Sequence, residues 1–346
     1  MGSHPFPIRA VAREAGVSTA TVDRVLNDRG GVRATTVARV RRAIVELERR
    51  QDAFELGGRT FTIDLVMQAP RRFTSAVWDA FDDVIPAAQP AVFTMRPHLV
   101  ERVDPDAVVA DLDAIAERGS HAVVLKAPDV PVVVAAVDRL VDQGIAVLTI
   151  VTDVPRSRRH AYVGLDNRAA GATAAYLIDR WRHGTDERPR SVLLTVSSER
   201  FAGEEQRIQG FRSTAASIGP DWMLHQLSET EGLDSVISEE LDSIAAANPI
   251  DAVYSIGGGN IAVLEVLARH GRKPEVFVAH DLDGDNRRLL STGAVSAVLH
   301  HDLRADAARA LRLVMQVHRA VPGRPVTEAA PVHVVTPYNI PAATPR

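Results

Sequence analysis

The sequence predicts two architectures in one chain. Residues 1–50 form an all-α helix-turn-helix headpiece, and residues 61–340 form an α/β region of two lobes, each a doubly wound parallel sheet. Three observations carry this prediction. Residues 8–27 place two short amphipathic stretches around a Gly16-Val17 corner. From Phe61 onward, short apolar runs alternate with helical periods in two successive series. Charge is also divided: ten Arg and no Lys against five acids make residues 1–50 +5, while the whole chain is −4, so the remainder is acidic.

In the first segment, Ile8, Val11, Ala12 and Ala15 recur at i, i+3, i+4 and i+7, one apolar stripe along a helix. Gly16 follows, where a left-handed helix stop needs a residue without Cβ. Ser18 stands as N-cap, its hydroxyl available to an orphan amide of the next helix. Val22, Val25 and Leu26 give that second helix its buried side, and Thr19, Ala20, Thr21, Asp23 and Arg24 face outward. A third helix is predicted from Arg33, with Val37, Val40, Ile44 and Leu47 on one face. A plain three-helix bundle has the same pattern. The corner chemistry together with the local positive charge favours a nucleic-acid reader.

Composition bounds the rest. With 346 residues, 46% of them hydrophobic, the chain has material for two or three domains. No apolar run approaches membrane-spanning length. No signal-peptide core precedes the first helix, so the cytoplasm is the expected compartment and no membrane partner is expected. The chain has no Cys, which removes zinc-ribbon, thiol and disulfide chemistry. No metal or cofactor is expected.

In the α/β region, strands are predicted at 63–67, 92–95, 122–125 and 145–151, with helices near 75–87, 105–118 and 131–143. The second series has strands at 192–196, 252–256 and 276–279, with helices near 167–182, 203–217, 233–246 and 260–270. Ligands in such sheets collect at the carboxyl ends of the strands, here in a cleft between lobes. A dinucleotide-binding enzyme would show the same alternation. However, Gln68-Ala-Pro-Arg-Arg-Phe73 follows the first strand in place of a glycine-rich turn, and Gly257-Gly-Gly259 lacks the fingerprint spacing.

Residues 8–49 resemble the headpiece of the lac-repressor (LacI/GalR-type) family of transcriptional regulators. The resemblance lies in Val11-Ala-Arg-Glu-Ala-Gly-Val-Ser18, Ala20-Thr-Val, Arg24-Val-Leu-Asn27 and Val32, without a gap. Residues 61–340 resemble the periplasmic-sugar-binding-protein-like sensor half of the same family. The landmarks there are Tyr162-Val-Gly-Leu-Asp-Asn167, Ala170-Gly171, Arg207-Ile-Gln-Gly-Phe211, His280-Asp281, Gly293 and Val298-Leu-His-His-Asp302.

The resemblance implies a homodimer on double-stranded operator DNA with the second helix in the major groove. Thr19, Ala20 and Arg24 would then read bases, and Ser18, Thr21, Asn27 and Thr36 would contact phosphate. Asp23 departs from the family's usual Ser; it either reads a cytosine amine or braces an Arg. The linker, residues 51–60, is shorter than the family's, with Leu56 as the candidate minor-groove wedge and Phe54 second. Gly57-Gly58 weakens any helix there, so a hinge helix and a differently built linker both remain open. Three crossovers near 162–165, 299–302 and 322–327 would divide the lobes into 61–162 with 302–322, and 163–299 with 327–340.

The implied ligand is a small sugar or polyol. Candidate contacts are Phe73, Lys126, Asp153, Asp166, Asn167, Arg207, Asn260, Asp281 and His301, the last where the family often has Gln. Each has a plainer alternative: Asp166 as an N-cap, Arg207 on a helix surface, Phe73 in the core, Lys126 paired with Asp129. Catalysis is not expected. His300 and His301 are adjacent and would point to opposite faces of a strand, and no nucleophile-elbow, zinc or phosphate-loop motif occurs. The reading is of a DNA-binding repressor governed by a carbohydrate-like effector. The alternative is a carbohydrate-binding or carbohydrate-processing protein whose helical N-terminus reads no DNA.

Overall fold

Gly16 ends the first helix as its position predicts, with φ 61° and ψ 41°, and its turn leads directly into the second helix. The structure is a computed structural model. It describes residues 6–27, 29–56, 59–89, 91–181, 190–219 and 222–342, and only the backbone of 46, 48–56 and 190. Two compact units result, residues 1–60 with 88–92, and residues 61–87 with 93–346.

The first unit holds α1 (Ile8–Ala15), α2 (Thr19–Leu26) and α3 (Ala34–Leu56). Val11, Ala12, Ala15, Val22, Val40 and Ala43 form its core, with Val25, Leu26, Ile44 and Leu47 packed at its margin. Ile8, the end of the predicted stripe, is exposed. Arg39 closes the corner by donating to the carbonyls of Ala15 (2.7 Å) and Gly16 (3.1 Å). The third helix does not stop near residue 50 but continues through Gln51–Leu56, residues that the sequence reading assigns to a linker. Glu48 to Leu56 contains no Gly or Pro and is rich in strong helix formers, so nothing local ends the helix. The side chains of Phe54 and Leu56, the wedge candidates, lie outside the described residues.

The second unit runs β1 (Thr60–Gln68), α4 (Arg71–Val84), β2 (Val92–Val100), α5 (Pro105–Arg118), β3 (Ala122–Lys126), α6 (Pro131–Asp142), β4 (Ala146–Ile150) and β5 (Ala161–Val163). The chain then continues with α7 (Asn167–Arg180), β6 (Arg190–Thr195), α8 (Ala202–Ile218), β7 (Trp222–Leu227), α9 (Asp234–Ala247) and β8 (Ala252–Ser255). The last elements are α10 (Asn260–Arg269), β9 (Val276–His280), α11 (Gly284–Ser291), β10 (Ala297–His300), α12 (Leu303–Val317) and β11 (His333–Val335).

One sheet has the order β2-β1-β3-β4-β5, and the other has β11-β10-β9-β8-β6-β7. Apart from β11, which pairs antiparallel to β10, the second sheet repeats the order of the first. Strand alternation sends neighbouring residues to opposite faces. Leu193, Val253, Phe277 and Val298 enter one core of the second lobe, and Leu194, Tyr254, Val278 and Leu299 enter the other. Helix α12 returns to pack on α4, β4 and β5. Helices α11 and α12 and strands β5, β7, β10 and β11 are not among the elements that the sequence predicts.

Two features of this unit position the site. Helices α7 and α8 touch backbone to backbone: a Cβ on Gly171 would lie 1.9 Å from the Arg207 carbonyl oxygen, and one on Gly210 would lie 2.0 Å from that of Arg168. Each lobe also ends its fourth strand in a left-handed residue, Val151 (φ 67°) after β4 and Asp281 (φ 62°) after β9. Their amides donate to Val163 O and Leu299 O on the next strand, both at 3.0 Å. A β-branched or acidic residue in that conformation costs about 1–3 kcal/mol, and such strain gathers at functional sites.

Candidate functional site

In the headpiece, Ser18 caps α2 by accepting from the Thr21 amide at 3.1 Å, and its hydroxyl lies 2.8 Å from the Thr21 hydroxyl. Thr19, Ala20, Arg24 and Asn27 are exposed along α2, while Thr21 and Thr36 are half-buried, Thr36 in the first turn of α3. Asp23 is the brace, not a free carboxylate. It accepts from the Asn27 side-chain amide (2.8 Å) and pairs with Arg29 Nη1 (2.9 Å). Part of its negative charge is thereby offset before any phosphate approaches.

In the second unit, an open cavity lies at the carboxyl ends of the strands. Phe73, Lys126, Arg207, Asn260 and Asp281 line it. Asn167 and His301 do not; they stand behind residues that do. Asn167 Oδ1 accepts from Arg207 Nε at 2.8 Å, and its amide donates to the Tyr162 hydroxyl at 3.0 Å, so it fixes the direction of the Arg207 side chain.

His301 is 1% exposed. Its Nδ1 lies 2.6 Å from Asp306, and its Nε2 faces Asp281 Oδ1 at 3.3 Å, off hydrogen-bond alignment. Burial opposes a charge on this ring, yet the two carboxylates outweigh it and raise its pKa to about 9. Burial likewise opposes ionisation of Asp281, but His301 and Arg207 hold that carboxyl well below its usual range. At neutral pH the pair is imidazolium and carboxylate.

Asp153 and Asp166 are placed elsewhere. Asp153 accepts from Arg159 Nε (2.6 Å), the Thr149 hydroxyl (2.6 Å) and the Val154 amide (2.8 Å), a structural knot after β4. Asp166 is exposed and caps α7 through the Ala169 amide at 2.9 Å, the plainer of its two readings. Lys126 does not pair with Asp129, which holds Arg156. Its Nζ donates to Gln68 O at 2.9 Å and sits 3.7 Å from the centre of the Phe201 ring.

The acceptors of the cleft are held in one orientation. Asn286 donates to the carbonyls of His280 (2.8 Å) and Asp281 (2.7 Å), which leaves its Oδ1 to receive Asn260 Nδ2 at 2.6 Å. Asn260 Oδ1 must then be the free atom. It is buried without a partner, as is His280 Nδ1, whereas Asp281 Oδ1 makes no hydrogen bond but faces the charged His301 ring. Buried polar atoms left unpaired are costly, so two of them beside the Asp281 carboxylate at one cavity point to a ligand rich in hydroxyl or amine groups. His280 stays neutral: burial depresses its pKa far below the usual range, and its Nε2 lies 2.8 Å from the Tyr254 hydroxyl.

Over residues 66–320 the chain matches the model of the periplasmic binding protein domain. The chain belongs to that family. Residues 7–49 match the model of bacterial regulatory proteins of the lacI family, so the whole is a lacI-type regulator with a periplasmic-binding-protein-like sensor. Neither family is one of enzymes. No curated protein matches the sequence.

Among solved structures, GanP, a glucose-galactose binding protein from Geobacillus stearothermophilus, is 18% identical with a TM-score of 0.69, covering 82% of this chain and 99% of its own. A solute binding protein from Burkholderia graminis, in complex with D-arabinose, is 19% identical with a TM-score of 0.69, covering 83% and 98%. One from Agrobacterium vitis, bound with alpha-D-tagatopyranose, is 17% identical with a TM-score of 0.68, covering 81% and 95%. These likenesses establish the fold of the sensor.

Several residues of the sensor cleft are not among the sequence-predicted contacts. Arg72, in the first turn of α4, donates to Gly232 O at 2.7 Å and lies 3.7 Å from Asp283, joining the two lobes. Glu204 is locked by the Ser197 amide (2.8 Å) and hydroxyl. Gly257, Gly258 and Gly259 all line the cleft, and Gly257 is required because a Cβ there would meet Ser197 N at 2.2 Å. One signal was available: the three glycines directly follow the apolar run 252–256, at the carboxyl end of a predicted strand.

Proposed function

We propose that the protein is a cytoplasmic transcriptional repressor, a homodimer whose headpieces read a pseudo-palindromic operator and whose operator affinity is set by a small carbohydrate. The observation that carries the ligand half is the pair of acceptors lining the cavity, the unpartnered Asn260 amide oxygen and the Asp281 carboxylate, together with an aromatic wall at Phe73. Sugar hydroxyls donate to such atoms, and the apolar face of a ring covers an aromatic. Solved structures of the same fold are described as binding glucose-galactose, D-arabinose and tagatopyranose. The DNA half rests on the capped corner and on an exposed Arg24 on α2. Closure of the lobes on the sugar would move the operator equilibrium by the sugar's differential affinity for the two lobe arrangements.

The test is operator binding by fluorescence anisotropy, using promoter fragments from the neighbouring genes with and without sugars that raise the melting temperature. Release of a fragment by one such sugar is the expected result. Indifference to every fragment at low salt would sink the reading. Arg24→Ala is expected to lose about 1–3 kcal/mol of discrimination between operator and scrambled DNA, the range of one bidentate guanine contact. Undiminished selectivity would remove Arg24 from base reading. Arg207→Ala is expected to bind operator normally but no longer respond to the sugar; an unchanged sugar response would show that the cleft does not use Arg207.

A further inference from the structure

Two buried cations line the cleft from opposite lobes, Lys126 at the end of β3 and Arg207 on α8. Among the described residues, neither has a carboxylate within ion-pair distance. Five acids line the same cavity, and four of them are engaged elsewhere: Glu204 is held by Ser197 and Ser198, Asp281 faces His301, Asp283 lies 3.7 Å from Arg72, and Asp285 pairs with Arg288. Lys126 has three donors, of which Gln68 O takes one. Arg207 has five, with Nε on Asn167 Oδ1 (2.8 Å) and Nη1 on Ile256 O at a long 3.4 Å. Buried charges in folded proteins are ordinarily paired, and a neutral hydroxyl offers a lone pair but no counter-charge.

We infer that the effector is an acidic carbohydrate whose anionic group, carboxylate or phosphate, is seated by Lys126 and Arg207 while its hydroxyls meet Asn260 and Asp281. The inference rests on the carbohydrate-sensor reading above and refines it. An anion held by one cation from each lobe would also favour the closed arrangement, because two like charges that face each other across the cleft repel until it is present. Burial depresses the Lys126 amine most; Glu204 opposes that shift more strongly than Arg207 adds to it, and Asp281 also opposes it.

The experiment is calorimetric titration of the full-length protein at pH 7 with D-glucose, D-galactose and D-arabinose, each alongside its aldonate and its terminal phosphate ester. In at least one set an acidic member is expected to bind about tenfold or more tightly than its parent sugar, the gain of a charge-assisted contact. Preference for the aldonate identifies a carboxylate, and preference for the ester identifies a phosphate. Lys126→Met and Lys126→Gln are expected to remove most of that preference, the acid losing about tenfold more affinity than its parent sugar does in the same variant. Parent sugars that bind as tightly as their acids in every set, or a preference untouched in both variants, would overturn the anion assignment and leave the sensor reading standing. No binding by any member, neutral or acidic, would overturn the sensor reading and this inference with it.

Discussion

Lys126→Met is expected to make the ligand-free protein more stable at neutral pH. Burial moves this amine from its ordinary 10.5 to about 8. A shift of that size corresponds to a cost of about 3 kcal/mol for holding the charge in the cleft. Met fills similar space without the charge, and the Gln68 carbonyl that loses its donor returns about 1 kcal/mol of the gain. The net expectation is about 2 kcal/mol, a few degrees in melting temperature.

The sign with pH follows from proton counting. Between pH 8 and 10.5 the unfolded chain holds a proton that folded Lys126 has released, so native stability rises through that window, and the variant lacks the rise. His301 acts in the other direction: with its pKa raised to about 9, its contribution is complete below 6.5 and is lost by about pH 9. Melting curves of both proteins from pH 6 to 10.5 should therefore differ most below 8 and converge above. A variant less stable than wild type at pH 7 would show that the buried charge is compensated inside the empty protein, contrary to the ion-pair geometry described above.

The second large effect is expected at Gly171. Helix propensity alone favours Ala there by about 1 kcal/mol. Packing opposes it, since the new Cβ would lie 1.9 Å from the Arg207 carbonyl oxygen, a backbone atom that cannot swing aside. Separating α7 from α8 is expected to cost about 3 kcal/mol or more, which reverses the propensity gain. It also displaces Arg207 from Asn167, so sugar affinity should fall together with stability. Gly284, at the start of α11 with open space about its Cβ position, is the control, and Ala there should be neutral or stabilising. Urea unfolding of the two variants decides the matter; a Gly171→Ala protein within about 0.5 kcal/mol of wild type would refute the close approach.

What could be seen in advance followed the range of the forces involved. The α1–α2 corner was legible because Gly16, Ser18 and the Val11-Ala12-Ala15 stripe act over one or two turns of helix. The buried strands β1, β3, β4, β8 and β9 were legible because parallel strands covered on both faces read as apolar runs. Helix α12 was not placed, although Asp302 caps it and Ala307, Ala310, Leu311 and Val314 share its buried side. The landmark Val298-Leu-His-His-Asp302 stops one residue short of the helix, and the apolar spacing that marks α12 begins only beyond it. In the cleft, Lys126, Arg207, Asn260, Asp281 and Phe73 were found as strand-end or helix-face positions. Arg72 and Asn286 were not, because their roles come from carbonyls far away in the chain: Gly232 for Arg72, His280 and Asp281 for Asn286. Asp153 and Asp166 were drawn to the cleft by nearness in sequence, whereas Arg159 and the α7 amides claim them locally.

The matched left-handed turns after β4 and β9 mean that a molecule entering from solvent meets the same main-chain bend on its left and on its right. Backbone symmetry of that kind cannot tell one end of a guest from the other. Only the side chains differ, so the two equivalent bends give the cleft an isopropyl group at Val151 and a carboxylate at Asp281.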